Sequence, residues 1–365
     1  MSSKHRYNFK NSVLRIANRK EIMNREEKKL IIFTHGVGRF GNQLIAYGHL
    51  IAFLLENEDR FDFINMSFWD YAHLLESTSQ SGLCTSPTKH QQWQYLRFIR
   101  YLQDFKLPKG SARLRTNIIR ILYALVRNPL LNNYGTQSII VNDANRTTYV
   151  IGTRRDYLDL NDSDNISIFD RANVTLLSGW GIRNWSLFEK HQHSIRDCMK
   201  IRRKYTEIGE KFISNLRKRY DIIIGVMIRQ GDYQIWINGR YFFETEQYVE
   251  WMRQVQIVFG ESTQNIGFVV SSDEQQEIEK FHGLNVHFTT GIAGGSGHYV
   301  ESMVELSLCD MIMTPPSTFS TWAAFIGDIP IIPLYDVSQV MKKDDVQKRH
   351  IYDAIRHPHL SMSVC

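Results

Sequence analysis

The sequence predicts an α/β fold built on parallel sheets, and three stretches carry that expectation. Ile222–Tyr233 (IIIGVMIRQGDY) is an apolar, β-branched run that stops abruptly in a polar loop holding Arg229, Gln230, Gly231 and Asp232. Ile266–Val270 (IGFVV) runs in the same way into Ser271-Ser272-Asp273, and Met311–Met313 (MIM) into Thr314-Pro315-Pro316-Ser317-Thr318. Segments with helical spacing lie between them. Buried strands alternating with helices indicate a parallel sheet. Its carboxyl ends share one edge, where open α/β folds bind ligands. Arg229, Asp232, Asp273 and the hydroxyls of Ser317 and Thr318 are therefore expected at one crevice.

A chain of 365 residues is too long for one ordinary core and suits two domains. The predicted division is a basic lead-in over 1–29, a first α/β domain over 30–190, a second over 191–340, and a tail over 341–365 that returns towards the first. Hydrophobic residues at 43% and charged residues at 22% exclude wholesale disorder. The net charge of +6 suits a phosphate-bearing ligand or an anionic surface. No apolar run reaches the length of a membrane span, and the first twenty residues lack the apolar segment of a signal peptide. Cys84, Cys198, Cys309 and Cys365 stand far apart without a CxxC spacing. Neither a zinc site nor a disulfide framework is expected, and a reducing, cytoplasmic location follows as the default.

In chain order, Leu30–Thr34 (LIIFT) reads as a strand and leads through HGVGRFGNQ into a helix. Leu44, Tyr47, Ile51, Leu54 and Leu55 recur there at three- and four-residue intervals, as one apolar face. Glycines between strand and helix let backbone approach a ligand, and a helix start favours anions. Gly36, Gly38 and Gly41 are not spaced as GxGxxG, so no dinucleotide fingerprint is present; a tight strand–helix turn explains them equally well. Trp93–Asn133 is basic and amphipathic. An ordinary surface helix packed on the first domain is the favoured reading, and peripheral contact with a membrane surface is the other.

Asp162 and Asp164 in NDSDN (Asn161–Asn165) have the spacing of a DxD metal motif but sit in a polar loop rather than after a buried strand. Val174–Leu177 reads as a strand. Trp180, Arg183 and Trp185, beside Gly179 and Gly181, suit either a cleft lining or hinge packing. A polar, basic helix is expected from His191 to Arg219. Beyond Ile222 the expected helices are Gln247–Phe259, Glu274–Phe281, Tyr299–Cys309 and a short one in STWAAFIG. Asp273 has a rival role as the amino-terminal cap of the second of these. The glycine-rich loop Gly291–His298 is expected to order over a ligand, Ile329–Tyr335 to form the last strand, and the charged tail from Asp336 to be helical.

The chemistry follows from residue types. A planar guanidinium fork matches phosphate oxygens in pairs, which makes Arg229 the residue to grip a phosphate-bearing ligand. Ser317 and Thr318 suit a second phosphate or a ribose. For transfer of a sugar away from a diphosphate, the demands are stabilisation of charge on the leaving group and a carboxylate to take the acceptor's proton. Asp232, Asp273, Glu301 and Glu305 qualify, with Asp232 first because it shares the loop of Arg229. Holding that loop through backbone hydrogen bonds is its competing role.

These residues resemble the α-1,2-fucosyltransferase family, with more distant similarity to the α-1,6- and protein O-fucosyltransferases. Gly38–Gln43 (GRFGNQ) matches the GR/GL-x-GNQ motif of that superfamily, and LLSGWGIRNWSLFEKHQHSIR is similar to a following aromatic segment. GVMIRQGDY is similar to VHxRRGDY, FVVSSDE to FVxSDD, and ESMVELSLCDMIMTPPSTFSTWAAFIG to a segment ending in SSFSWWxA. Five motifs in family order cover residues 30 to 335. The resemblance implies a GT-B-like fold, two Rossmann-like domains facing across a cleft, with GDP-fucose held mainly by the second. It implies an inverting enzyme without metal or other cofactor. Arg229 becomes the catalytic, phosphate-binding arginine, Arg39 and Asn42 reach the donor across the cleft, and Ser271, Asp273, Ser317, Thr318 and Phe319 fall in donor-facing motifs. Met227, Gln230, Ser302 and Thr321 depart from the family pattern.

The expectation is therefore transfer of fucose from GDP-fucose to a glycan hydroxyl, α-1,2 to galactose, in surface polysaccharide or oligosaccharide synthesis. A lipid-linked acceptor at the cytoplasmic face of a membrane fits this, and no nucleic-acid partner is implied. A protein O-fucosyltransferase and a nucleotide-sugar-binding protein without catalysis are the alternatives.

Overall fold

The structure, a computed structural model, describes residues 28–35, 38–65, 71, 74–76, 138–142, 158–171, 173–179, 181–260, 265–291 and 295–342. The lead-in, the basic stretch Trp93–Asn133 and the tail beyond residue 342 lie outside these. Along the chain come β1 (Lys29–His35), α1 (Phe40–Leu55), β2 (Phe61–Asn65), β3 (Ser138–Asn142), β4 (Leu158–Asp159), α2 (Ser163–Phe169), β5 (Val174–Ser178), β6 (Ile182–Arg183), α3 (Trp185–Lys190), α4 (Gln192–Cys198) and α5 (Arg203–Arg217). Then follow β7 (Ile222–Ile228), α6 (Thr245–Gly260), β8 (Ile266–Ser272), β9 (Val286–Phe288), α7 (Tyr299–Ser307), β10 (Met311–Thr314), α8 (Thr318–Gly327) and β11 (Ile331–Pro333).

Two parallel sheets organise the described residues, in the orders β2-β1-β5-β3 and β11-β10-β7-β8-β9. The second explains the β-branched runs. β7 is central and pairs with β8 from Ile222↔Ile266 to Ile228↔Ser272, and with β10 at Met311↔Ile224. Helices cover both faces, so Ile223 to Ile228 are all buried and the strand reads as one apolar run.

α1 departs from the expected single apolar face. Leu44, Leu50, Ile51 and Leu54 are buried, and so are Gln43, Gly48 and His49 on its other sides. A helix buried all round belongs in an interior. α1 has the first sheet's core (Phe33, Phe61, Phe63) on one side and α8 and α3 on others. One apolar cluster thus runs from Ile31 and Phe33 through α1 to Met227, Met303, Trp322 and Phe325 of the second sheet's layer. A second cluster, with Ile224, Val226, Phe243, Trp251, Phe268 and Met313, fills the far face of the second sheet.

Other expectations shift in detail. The basic helix expected over His191–Arg219 is broken into α4 and α5, and Ile201 between them bridges to Leu75. In α5, Tyr205, Gly209, Ile213 and Leu216 are buried at helical spacing, against α7. No helix fills Glu274–Phe281; only Ile278–Phe281 turns, as a 3₁₀ segment. The last strand shortens to β11, and residues 336 to 342 are irregular rather than helical. Asp162 accepts from the Asp164 amide and caps α2, so the DxD spacing marks a helix start.

Cys198 is disulfide-bonded, while Cys309 is free and buried. Sequence separation said nothing of proximity in space, and the expectation of no disulfide is corrected. The support that reduced cysteines lent to a cytoplasmic location goes with it. No helix among the described residues is long and apolar enough to cross a membrane.

Candidate functional site

The parallel register brings the loops after β7, β8 and β10 to one edge, and side-chain bonds knit them there. Gln230 N–H, after β7, donates to Asp273 Oδ1, after β8, at 2.9 Å. The Tyr233 hydroxyl donates to the Pro316 carbonyl, after β10. The Arg229 amide donates to Tyr248 Oη at 3.3 Å, fixing the strand end on α6.

Arg229 lies at the centre. Its Nη2 meets Asp232 Oδ1 at 2.6 Å and its Nη1 meets Asp273 Oδ2 at 3.0 Å. The guanidinium stacks over the Tyr233 ring, 4.7 Å from its centroid. The side chain is only 13% exposed, and its buried Nε has no hydrogen-bond partner among the described residues. Burial works against the charge, but Tyr233, Asp273 and Asp232 outweigh it and hold the guanidinium above its ordinary range. Burial pushes the Tyr233 phenol up to about 12, and the neighbouring Arg229 opposes this. Arg229 is therefore a permanent cation resting on the ring of a neutral tyrosine.

From the first sheet, Arg39 reaches the same loop. Its Nη2 lies 3.7 Å from Asp232 Oδ2, and its side chain is 77% exposed. Asn42, in the first turn of α1, accepts the Thr318 hydroxyl at 2.6 Å. Gly41 lies against α8: a Cβ there would stand 2.8 Å from the Thr318 carbonyl carbon and 2.9 Å from the Phe319 nitrogen. The glycine after Arg39-Phe40 thus serves a helix–helix contact rather than approach to a ligand.

Of the nine residues singled out for the site, Arg39, Arg229, Asp232 and Asp273 are joined by these contacts, and Asn42 and Thr318 form a separate pair. Asp273 is not the cap expected of it: its carboxylate goes to Gln230 N–H and Arg229, and the Glu274 amide bonds Ser272 Oγ at 3.1 Å. Ser271 is buried within β8, opposite Met227. Ser317 is buried before α8, its carbonyl accepting from Ser320 Oγ and the Thr321 amide. Phe319 packs, partly buried, against the shared apolar cluster.

Among the four carboxylates considered as bases, exposure separates one. Asp232 is 46% exposed, Asp273 16%, Glu301 7% and Glu305 0%. Glu305 accepts from the Thr290 amide at 2.9 Å and the Thr290 hydroxyl at 2.5 Å, and that hydroxyl also contacts Glu301 Oε2 at 3.2 Å. Burial pushes Glu305 up to about 7.

Sequence reasoning missed the platform and the bracing. Tyr233 and Tyr248 carry Arg229, and the Y of GDY was the only signal for the first. Gln230 donates to the Phe243 carbonyl and Thr245 Oγ1 and accepts from Gln276 Nε2, so it braces the loop from behind. Met227 is buried in the shared cluster. Ser302 Oγ donates to Thr289 Oγ1 at 3.0 Å, directly under Gly291, where a Cβ would lie 2.1 Å from that oxygen. Met227, Gln230 and Ser302 thus have packing or bracing roles here. Trp185 packs its edge on His49, and Arg183 is buried with Nη1 on the Ile182 carbonyl, which favours the hinge-packing alternative for that segment.

Among solved structures, the chain is similar to an arginine-to-lysine mutant of Arabidopsis thaliana FUT1 in complex with GDP. The identity is 12%, the TM-score 0.49, and 84% of this chain and 70% of that one are covered. It is similar to POFUT1 in complex with GDP-fucose (14% identity, TM-score 0.47, 85% and 99% covered). It is also similar to the fucosyltransferase NodZ from Bradyrhizobium (15% identity, TM-score 0.41, 84% and 96% covered). Among curated proteins, no sequence matches the chain. Residues 180–352 of the chain match the model of glycosyl transferase family 11.

Proposed function

We propose that the protein transfers fucose from GDP-fucose to a glycan hydroxyl, α-1,2 to galactose, with inversion at the sugar carbon and without a metal. The observation that carries this reading is Arg229, a buried cation at the mouth of the second sheet, with Arg39 facing it from the first. The match of residues 180–352 to the glycosyl transferase family 11 model supports an activated-sugar donor. Arg229 and Arg39 take the diphosphate, with Asn42, Asp273 and Thr318 around them and Ser271, Ser317 and Phe319 supporting the nucleotide side.

In the reaction, the acceptor oxygen forms a bond to the donor's C1 while the bond from C1 to the β-phosphate oxygen breaks. The bonding pair leaves with GDP, where Arg229 stabilises the growing charge. The acceptor's proton passes to the Asp232 carboxylate. Because guanidinium groups meet the leaving charge, the chemistry does not call for a divalent ion.

A glycan or lipid-linked acceptor in surface polysaccharide synthesis places the enzyme at the cytoplasmic face of a membrane. That location requires Cys198 to be reduced in the cell, which thiol labelling of the native protein reads directly. The disulfide at Cys198 favours a second reading, fucose transfer to a peptide hydroxyl in an oxidising compartment. The test is incubation with GDP-fucose and either β-galactosides or folded peptide acceptors, measuring GDP release and the linkage formed. Transfer to the galactoside supports the first reading and transfer only to peptide the second. GDP binding without transfer to any acceptor supports a nucleotide-sugar-binding protein, the role suggested by Met227, Gln230 and Ser302.

A further inference from the structure

Both terminal nitrogens of Arg229 are already committed to carboxylates, at 2.6 Å to Asp232 and 3.0 Å to Asp273. A guanidinium takes a phosphate in paired hydrogen bonds only through an edge that no other anion occupies. Each terminal nitrogen keeps a second N–H, but a diphosphate arriving beside two carboxylates on one guanidinium meets like charge, which favours release of one of these two.

They are not equivalent. Asp273 is 16% exposed and is pinned by a second bond from the Gln230 amide. Asp232 is 46% exposed, and among the described residues its other oxygen faces the exposed Arg39 alone, at 3.7 Å. Asp232 thus stands between two guanidinium groups from opposite sheets, as a bridging phosphate would.

We propose that Asp232 is an internal stand-in for the donor's diphosphate, holding Arg229 and Arg39 in place until the donor displaces it. The displaced carboxylate is then released from its ion pair with Arg229 and can turn to the acceptor hydroxyl, so donor binding itself frees the base. Asp273 stays on Arg229 and keeps the guanidinium oriented throughout. This inference rests on the donor site proposed above and adds an order of events to it.

The experiment is calorimetric titration of GDP into the wild-type protein and the Asp232→Asn, Glu274→Gln and Arg229→Ala variants at one ionic strength, with thermal melts to verify folding. Asparagine keeps the shape of Asp232 but cannot hold the guanidinium as an ion pair. Asp232→Asn is expected to bind GDP more tightly, on the order of 3- to 10-fold. A residue that only shaped the loop would weaken binding when altered. Glu274 controls for the general field: its carboxylate lies beside the loop, 3.0 Å from where a Gly231 Cβ would be, without an ion pair to Arg229. Glu274→Gln is expected to change affinity less than about 2-fold, as a screened neighbour. Unchanged or weaker binding by Asp232→Asn overturns the stand-in role while leaving the donor site intact, provided Arg229→Ala loses GDP. Equal tightening in Glu274→Gln and Asp232→Asn overturns it in the same way. Arg229→Ala binding GDP like the wild type overturns the donor site itself.

Discussion

Thr318 donates its hydroxyl hydrogen to Asn42 Oδ1 at 2.6 Å, tying the first turn of α1 to the first turn of α8. The two sheets thus meet through helix starts packed directly on one another, with a short polar link at the rim of the shared core. A partly buried hydrogen bond of this kind contributes about 1 kcal/mol. Asn42→Ala and Thr318→Val are each expected to lower stability by about that amount, and the double variant by less than the sum. Denaturant titration of all four proteins reads the coupling directly.

Gly41 predicts a larger effect from a smaller change. A methyl group there would sit 2.8 Å from Thr318 backbone carbon, and backbone cannot swing aside as a side chain can. Gly41→Ala is expected to destabilise by about 1–3 kcal/mol through overpacking. It should also weaken GDP binding, since the displaced segment carries Thr318. A Tm equal to wild type would show that α1 and α8 move apart freely.

Glu305 gives a pH signature. Burial raises its carboxyl from 4.5 to about 7, so the folded protein binds this proton more tightly than the unfolded chain does. The resulting stability is fully present below pH 4.5 and is lost as pH rises through 7, by up to about 3 kcal/mol. Glu305→Gln keeps a neutral group against Thr290 and removes that slope. The variant is expected to match wild type near pH 4.5 and to be more stable at pH 8. Parallel melting curves across that range provide the check, and a wild-type-like slope in the variant would contradict it.

Much of the frame was legible in the sequence because burial on both faces leaves an unmistakable apolar run. Ile222–Ile228, Ile266–Val270 and Met311–Met313 have no other use than as central parallel strands, and their polar ends had to share an edge. What surrounds Arg229 was less legible. Asp273 had a rival local reading as a helix cap beside its place in the site, yet a contact 43 residues back in the chain, to Gln230, claims its carboxylate. Gln230 read as a lost arginine, whereas its amide is engaged with Phe243, Thr245 and Gln276, none of them near it in sequence. α1 showed an apolar face at helical spacing, but its burial all round depends on α8, more than 260 residues away. Cysteine spacing, likewise, could not announce the bond at Cys198.

Tyr233 separates support from chemistry. Its hydroxyl ties the β7 loop to Pro316, and its ring lies under the Arg229 guanidinium. Tyr233→Phe removes the hydroxyl, with its tie to Pro316 and its interactions with Arg229 and Ser317, and is expected to cost about 1–2 kcal/mol of stability, with GDP affinity within about 3-fold of wild type because the cation–ring contact survives. Tyr233→Ala removes the platform as well and is expected to lose GDP binding by about tenfold or more. Equal GDP affinities in the two variants would show that the ring does not position Arg229.

A crystal structure with GDP bound tests the central claim most directly. The expected result is Arg229 Nη atoms within hydrogen-bond distance of β-phosphate oxygens, Asp273 still on the guanidinium and Asp232 turned away from it. GDP bound elsewhere, with Arg229 still clasped by both carboxylates, would contradict the account.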